Sequence, residues 1–154
     1  MQPLIHLNYP LQVNLLLSEA EELRAKAIPY VDGRYHTKME DWRVVREYGP
    51  YGKQILHDFG INGRPRFYWL QANSVLGTHT DHNTTCSINF VLSKNLAPVI
   101  INGVDYFYTQ ALLNTSIPHS VVNGPEERIL FKISIFDETY EQVAEKIKYK
   151  LGHW

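Results

Sequence analysis

The chain has 154 residues and a mass of 17.9 kDa, which is enough for one domain with a sizeable core and too little for two. Apolar residues make up 44% of the sequence and charged residues 20%, a composition that excludes disorder over most of the chain. The net charge of −1 provides no field for holding a phosphate backbone, so we expect no nucleic acid as the principal partner.

The cysteine content and the first residues bear on the cellular compartment. The one cysteine, Cys86, excludes an intrachain disulfide framework and a cysteine-rich zinc module. The first 23 residues contain neither a basic segment nor an apolar stretch long enough for a signal peptide or a membrane span. We therefore expect a cytoplasmic protein that does not bind membranes. The sequence does not specify an oligomeric state.

One helix and long loops are predicted before residue 66. Between Leu11 and Ala27, apolar residues recur at helical spacing, and Pro29 ends the run. Glycines and prolines interrupt the following segment up to Pro65, where only Trp42–Arg46 has the composition of a strand. We therefore predict that residues 1–65 form a helix and loops that pack on the rest of the domain.

The following part of the chain, residues 66–136, is predicted to form short strands. Segments rich in β-branched or aromatic residues alternate with turn signals, without intervening helices. This order favours an antiparallel sandwich or barrel of the jelly-roll kind over a parallel α/β sheet. The predicted strands are Phe67–Ala72, Cys86–Ser93, Pro98–Asn102, Tyr106–Ala111 and Ile129–Phe136.

Residues 137–154 are predicted to contain a C-terminal helix, roughly Tyr140–Leu151. Its apolar residues lie on one stripe, and lysines gather near its end, as the helix dipole favours. The predicted fold class is therefore mostly β, with a jelly-roll barrel flanked by N- and C-terminal helices in a single domain of residues 1–154.

A short segment holds three potential metal ligands in four positions. On an extended strand His79 and Asp81 point to one side and His82 to the other. A histidine and a carboxylate on the same face can occupy two sites of one metal ion. A set that uses His82 in place of His79 remains an alternative. An HxD pair arises by chance in about a quarter of such chains, so the motif alone is weak evidence.

A second cluster strengthens the metal hypothesis. Two histidines and one carboxylate on one side of an ion form the facial triad of non-haem Fe(II) oxygenases, and His119 can complete the set of His79 and Asp81. Arg128 follows His119 by nine residues and carries a cation suited to bidentate binding of a carboxylate. The alternatives are that His119 is a turn histidine bonded to a backbone carbonyl and that Arg128 is a solvated loop charge.

On these residues the chain resembles the Fe(II)/2-oxoglutarate-dependent oxygenases. Their double-stranded β-helix, a cupin-like barrel, carries HxD on an early core strand and a distal histidine followed by a basic residue. The resemblance covers roughly residues 66–136. The sequence HSVVN that begins at His119, with Arg128 downstream, is similar to the aspartyl/asparaginyl β-hydroxylase and proline hydroxylase-like branch. One departure is Leu130, at a position where relatives with an Arg-x-Ser motif have serine.

The resemblance implies a dioxygenase that uses Fe(II), 2-oxoglutarate and O₂. His79, Asp81 and His119 would bind the iron and form the catalytic centre. Arg128 would pair with the 5-carboxylate of the cosubstrate. The implied reaction hydroxylates an unactivated C–H bond and releases succinate and CO₂. The implied substrate is small or peptidyl, either a free amino acid or a side chain in a peptide.

Strand parity predicts further residues inside the barrel. If Arg128 faces the cavity, Lys132 shares its side and needs a carboxylate partner. Whether Arg128 or Lys132 holds the cosubstrate stays open. We expect Asn89 in the cavity, because an amide on the apolar outer face would lack partners. Tyr68 is a candidate hydroxyl donor to the cosubstrate, and core packing is the alternative for this aromatic residue.

Two other functions compete with the oxygenase hypothesis. The sequence HSVVN also fits the end of a second cupin motif, which indicates a metal-binding cupin-type enzyme that does not use 2-oxoglutarate. The first cupin motif, HxH followed by Glu, is not met by residues 79–82. A non-catalytic β-barrel binding module is the other alternative. For an enzyme, the loops before Pro65 are candidates for the substrate rim. The rim candidates are Arg34, Arg43, Arg46 and Tyr48.

Overall fold

Two antiparallel β-sheets face each other, and the helices lie outside them. The computed structural model describes residues 2–32, 37–81, 83–94 and 97–151. The helices are α1 (Val13–Leu23), α2 (Pro50–Phe59) and α3 (Tyr140–Leu151). The strands are β1 (Leu4–His6), β2 (Ile28–Asp32), β3 (Thr37–Val45), β4 (Gly63–Leu70), β5 (Val75–His79), β6 (Cys86–Val91), β7 (Val99–Ile101), β8 (Val104–Tyr106), β9 (Gln110–Leu113), β10 (His119–Val122) and β11 (Arg128–Ile135).

The larger sheet has seven strands in the order β1-β9-β6-β11-β4-β3-β2, and the smaller has four in the order β5-β10-β7-β8. Neighbouring strands pair antiparallel in both sheets. Strands distant in sequence are neighbours, as in a jelly roll. The predicted fold class, a mostly β jelly-roll or cupin-like barrel with flanking helices, is confirmed. Helix α3 has the predicted bounds.

Strand β11 separates two cores through its alternating side chains. Ile129, Phe131, Ile133 and Ile135 are buried in a cluster that includes residues of all three helices. Leu130, between them, packs instead in a second cluster with residues from both sheets. This alternation confirms the predicted parity, and it follows from the two-residue period of a strand whose two faces are both covered.

The segment before Pro65 contains helix α2 and the hairpin of β2 and β3, so the prediction of long loops is wrong. The strand predicted at Trp42–Arg46 overlaps β3. Gly49 precedes α2, Pro50 occupies its first turn, and Gly60 ends it at a φ of 64°. These residues are start and stop signals of a helix, although glycine and proline are also typical of loops. Tyr51, Ile55 and Phe59 of α2 recur every four residues and are buried.

Helix α1 is shorter than predicted. It ends at Leu23 and continues as a 3-10 turn, Arg24–Lys26. Pro29 lies inside β2, which is an edge strand, where a missing backbone N–H breaks no ladder bond that the sheet needs. No helix in the described part of the chain combines the length and the apolar character needed to cross a membrane.

The predicted set of strands needs correction. Strands β5 and β10 were not predicted, although they carry His79 and His119. The predicted strand Tyr106–Ala111 is divided, because β8 ends at Tyr106 in the smaller sheet and β9 begins at Gln110 in the larger one. Short strands such as β5 are stabilised by their neighbours rather than by their own composition, so propensity alone does not detect them.

The close packing of β4 on β11 predicts the effect of a single methyl group. A Cβ at Gly63 would lie 2.5 Å from Ile133 Cγ2 and 3.2 Å from the Ser134 carbonyl oxygen. We therefore expect Gly63→Ala to lower the free energy of unfolding by about 1–3 kcal/mol through overpacking. A Cβ at Gly77 meets no atom within 4 Å, so Gly77→Ala should change the free energy of unfolding by about 0.5 kcal/mol or less. Urea denaturation measures the free energy of unfolding of both variants. Equal changes in the two variants would contradict the close packing of Gly63 on β11.

Candidate metal centre

A cavity of about 610 Å³ lies between the two sheets. Its walls come from the inward faces of β4, β6 and β11 on one side and from β5 and β10 on the other. The second apolar core surrounds part of it, so the polar groups in the cavity lie among buried aromatic and aliphatic side chains. Polar interactions are stronger in such surroundings than at the surface.

The pairing of β5 with β10 brings three candidate ligands together. His79 ends β5 and lies directly opposite His119, the first residue of β10. Asp81 follows β5, and its backbone N–H donates to the Thr115 carbonyl oxygen at 3.1 Å. One potential ligand atom from each of His79, Asp81 and His119 lies within 4.8 Å of the others. His82, the alternative ligand, lies outside the described residues.

The three potential ligand atoms are all hydrogen-bond acceptors when both imidazoles are neutral. His79 Nδ1 lies 2.7 Å from the Gly77 carbonyl oxygen, and His119 Nδ1 lies 2.8 Å from the Ile117 carbonyl oxygen. Each Nδ1–H can donate only to its carbonyl, which leaves Nε2 with a free lone pair. These two Nε2 atoms lie 3.3 Å and 3.1 Å from Asp81 Oδ1. Three acceptors at these distances need protons or a cation between them, so the donor set fits a metal ion.

The contact with a carbonyl oxygen also bears on the alternative that His119 is a turn histidine. Its Nδ1 does contact a backbone carbonyl, as a turn histidine would, while its Nε2 faces Asp81. The two contacts use different ring nitrogens. The carbonyl therefore orients the imidazole as the second partner of a metal-bound histidine does.

Asp81 is the carboxylate partner that Lys132 was expected to need inside the barrel. The Nζ of Lys132 donates to Asp81 Oδ2 at 2.8 Å. Burial alone would raise the pKa of Asp81, but Lys132 and the two histidines hold it well below its usual range. Burial would likewise lower the pKa of Lys132, and the charge of Asp81 keeps it above its usual value. Asp81 is therefore ionised, with Oδ1 toward the histidines and Oδ2 toward Lys132.

Arg128 is buried in the cavity wall, with 1% of its surface exposed. The alternative of a solvated loop charge is therefore wrong. Its Nη1 donates to the Ala97 carbonyl oxygen, and its Cζ lies 5.6 Å from the centroid of the Tyr108 ring. Its Nε has no hydrogen-bond partner among the described residues. Since a buried N–H without a partner costs free energy, this guanidinium is suited to an anion that enters the cavity.

Asn89 and Tyr68 both lie in the cavity wall. Asn89 Nδ2 donates to the Tyr108 hydroxyl at 3.1 Å, and its Oδ1 accepts from Ser87 Oγ at 2.8 Å. Tyr68 packs against Trp42, with ring centroids 5.6 Å apart. Both sequence-based interpretations of Tyr68 remain compatible with this position.

Several polar residues of the cavity were not singled out from the sequence, among them Arg66, Tyr108 and Thr115. Tyr108 was interpreted as part of a strand, and its contact with Arg128 depends on a turn between two sheets. Thr115 is buried in the wall, and its Oγ1 has no partner within the described residues. No local motif marks Tyr108 or Thr115. Helical or strand periodicity carries no signal for the contacts of a single polar atom inside the barrel.

The rim candidates have different positions. Arg46 lines the cavity. Arg43 is exposed, and its Nη2 donates to the Ala27 carbonyl oxygen at 3.0 Å, outside this cavity. Tyr48 is exposed and does not line the cavity either. Arg34 lies outside the described residues.

Removing Lys132 should leave the Asp81 charge without its cation. We expect Lys132→Met to lower the free energy of unfolding of the metal-free protein by about 1–3 kcal/mol near neutral pH. Folding lowers the pKa of Asp81 from about 3.8, so its contribution is present above that pH and is lost as the pH falls through the folded value. The variant should therefore lose less stability than the wild type on acidification.

Denaturation between about pH 6 and pH 2 measures this difference, because the loss in the wild type begins near pH 3.8 and continues toward the lower folded value. Lys146→Met is the matched control, because Lys146 pairs with Glu138 near the surface, where such a pair contributes about 1 kcal/mol or less. An unchanged acid dependence in Lys132→Met would contradict the role of Lys132 in holding Asp81 ionised.

The sequence matches no protein-family model and no curated protein. The fold is similar to a prolyl-4-hydroxylase from Pseudomonas putida, with a TM-score of 0.68 and 12% identity over 88% of this chain and 94% of that chain. It is also similar to an oxidoreductase of the 2OG-Fe(II) oxygenase family from Burkholderia pseudomallei, with a TM-score of 0.50 and 14% identity over 77% of this chain and 76% of that chain. At these identities the comparisons establish a shared fold.

Proposed function

We propose that the protein is an Fe(II)- and 2-oxoglutarate-dependent dioxygenase that hydroxylates an unactivated C–H bond of an amino acid or a peptidyl side chain. The observation that carries the proposal is the convergence of His79, Asp81 and His119 in a cavity that also holds a buried arginine. Two structures with this fold are named as a prolyl-4-hydroxylase and a 2OG-Fe(II) oxygenase family protein. The HSVVN motif supports the aspartyl/asparaginyl hydroxylase-like branch within this proposal.

In this assignment His79 Nε2, His119 Nε2 and Asp81 Oδ1 hold the iron. Two imidazoles and one carboxylate oxygen leave open positions for the cosubstrate and O₂, and the iron supplies the oxidising chemistry. Lys132 holds Asp81 Oδ2, so Asp81 offers one oxygen rather than two. This restricts the protein to three ligand atoms and preserves the open positions.

Arg128 is the better candidate for the 5-carboxylate of 2-oxoglutarate. Lys132 is already engaged by Asp81, whereas Arg128 has an unpartnered buried Nε. Arg128 stands four residues from Lys132 on β11, about 13 Å along the strand. This separation places it away from the metal ligands, where the far end of a chelating cosubstrate would lie.

Tyr108 can complete the carboxylate clamp in place of the serine that Leu130 replaces. Its hydroxyl accepts from Asn89 Nδ2, so its own proton remains available for a carboxylate oxygen. Arg128 packs against the same ring. Asn89 therefore orients the tyrosine, and the apolar residues around the clamp exclude water and strengthen its interaction with the anion.

The chain contributes positioning to this reaction. Arg128 and Tyr108 would orient the cosubstrate toward the metal, and the enclosed cavity would limit unproductive oxidation of the protein. The products of the cosubstrate would be succinate and CO₂. A cupin-type enzyme without 2-oxoglutarate would show turnover that does not depend on this compound.

The metal assignment predicts a spectroscopic loss in one variant. Anaerobic addition of Fe(II) and 2-oxoglutarate should produce the weak visible charge-transfer band of the chelate. His119→Ala should abolish this band, because one of three ligands is removed. His57→Ala is the control, since the His57 side chain is 91% exposed on α2 and should leave the band unchanged. A band of full intensity in His119→Ala would remove His119 from the metal site.

The cosubstrate assignment predicts a selective loss of affinity. In protein loaded with Mn(II), Arg128→Gln should weaken 2-oxoglutarate binding about tenfold to a hundredfold, because a charge-assisted pair is lost. Calorimetric titration measures the affinity for 2-oxoglutarate. Arg128→Lys keeps the charge without the planar fork and should be intermediate. Mn(II) affinity should stay unchanged in both variants, which also verifies that they fold. An unchanged 2-oxoglutarate affinity would contradict the assignment.

A further inference from the structure

The cavity contains two more arginines, Arg46 and Arg66, that the metal and cosubstrate assignments do not use. We propose that they bind a carboxylate of the primary substrate at the accessible side of the cavity. This inference rests on the proposed function. It identifies the substrate as an acid whose carboxylate lies beside the metal centre.

The arginines belong to a row of cations across three strands. Arg66 on β4 lies directly opposite Lys132 on β11. Val45, the last residue of β3, pairs with Phe67 of β4, so Arg46, the next residue, lies beside Arg66. Residues directly opposite on neighbouring strands have Cβ atoms about 4.5–5.5 Å apart, and like charges in such positions destabilise a sheet. A row of three cations therefore indicates a site that an anion occupies.

The charges of the protein do not balance this row. Among the described residues that line the cavity, four carry positive charge, Arg46, Arg66, Arg128 and Lys132, and only Asp81 carries negative charge. The whole chain has a net charge of −1, so the excess is local. A divalent metal adds two positive charges, and the 2-oxoglutarate dianion removes two. The positive excess of the cavity thus persists when both are bound.

The arginines also differ in access. Arg128 is enclosed, which suits a cosubstrate that binds deep in the barrel. Arg66 is half-buried and Arg46 is exposed, so both can meet a ligand that enters later. In the part of the chain that the structure describes, neither guanidinium has an ion pair or a side-chain hydrogen bond. Lys132, in contrast, is held by Asp81.

The position of Arg66 connects anion binding to the reacting centre. Its cross-strand neighbour Lys132 contacts Asp81, a proposed metal ligand. A carboxylate bound by Arg66 would therefore hold the rest of the substrate close to the metal. Binding energy from such a remote charged group orients the bond to be oxidised and favours acids over neutral analogues.

The test uses the full chain loaded with Mn(II) and 2-oxoglutarate, so that binding is measured without turnover. The probes are the common amino acids as N-acetyl acids and as N-acetyl amides, titrated by calorimetry. We expect at least one carboxylate ligand to bind about tenfold or more tightly than its neutral counterpart. Preference for N-acetyl acids identifies an α-carboxylate. Preference for the amides of Asp or Glu over those of Asn or Gln identifies a side-chain carboxylate.

Variants test whether the two arginines cause the preference for acids over neutral ligands. Arg66→Gln should weaken binding of the preferred acid about tenfold or more and leave its neutral counterpart unchanged. Arg46→Gln should have a smaller effect, because water and salt screen an exposed charge. Arg64→Gln is the matched control. Arg64 lies on the same strand but outside the cavity lining, with its Cζ 4.7 Å from the centroid of the Phe136 ring, so acid binding should not change. The affinity for 2-oxoglutarate should stay within about twofold in all three variants.

Three results would overturn the inference while the proposed function stands. These are equal binding of acids and neutral analogues, no acid binding to a protein that binds 2-oxoglutarate, and unchanged acid binding in Arg66→Gln. A large loss of 2-oxoglutarate affinity in Arg66→Gln would also overturn it, because Arg66 would then hold the cosubstrate. Failure of the wild type to bind Mn(II) and 2-oxoglutarate would overturn the proposed function and the inference together.

Discussion

The buried carboxylate of Asp81 is the interaction on which the site depends. One oxygen faces two imidazoles at 3.1 Å and 3.3 Å, and the other accepts from Lys132 at 2.8 Å. A charge in such surroundings is stable only when it is paired and hydrogen-bonded. The carboxylate therefore requires β11 on one side of the cavity and the β5–β10 pair on the other. Its charge links the two sheets of the barrel at the point where a metal ion would bind.

Strand β11 organises the rest of the cavity. One face packs Phe131 and its isoleucine neighbours against the helices. The other face carries Arg128 and Lys132 into the cavity, four residues apart. The apolar face fixes the orientation of the strand, because a shift by one residue would move both cations into the apolar core. The same constraint positions the proposed cosubstrate clamp and the cation that holds Asp81. Packing and chemistry are thus coupled in a single strand.

The candidate site was predictable where local pattern carries the information. The HxD spacing, His119 and the alternation of β11 all follow from residue type and position, and the structure brings these residues to one cavity. Helix α2 was missed because Gly49 and Gly60 were interpreted as loop residues rather than as its boundaries. Strands β5 and β10 were missed because they are only five and four residues long. Their stability comes from pairing between segments forty residues apart, which no local propensity records.

The sequence by itself determined the mostly β class, helix α3, the alternating faces of β11 and the residue types available to bind a metal. These features depend on short-range periodicity and on the chemistry of single side chains. Only the tertiary structure decided that Lys132 pairs with Asp81, that Arg128 is enclosed beside Tyr108, and that Arg46 and Arg66 continue the row of cations. Each of these depends on the register between strands that are distant in the chain. That register is set by the packing of the whole barrel, so it is not encoded in any single segment.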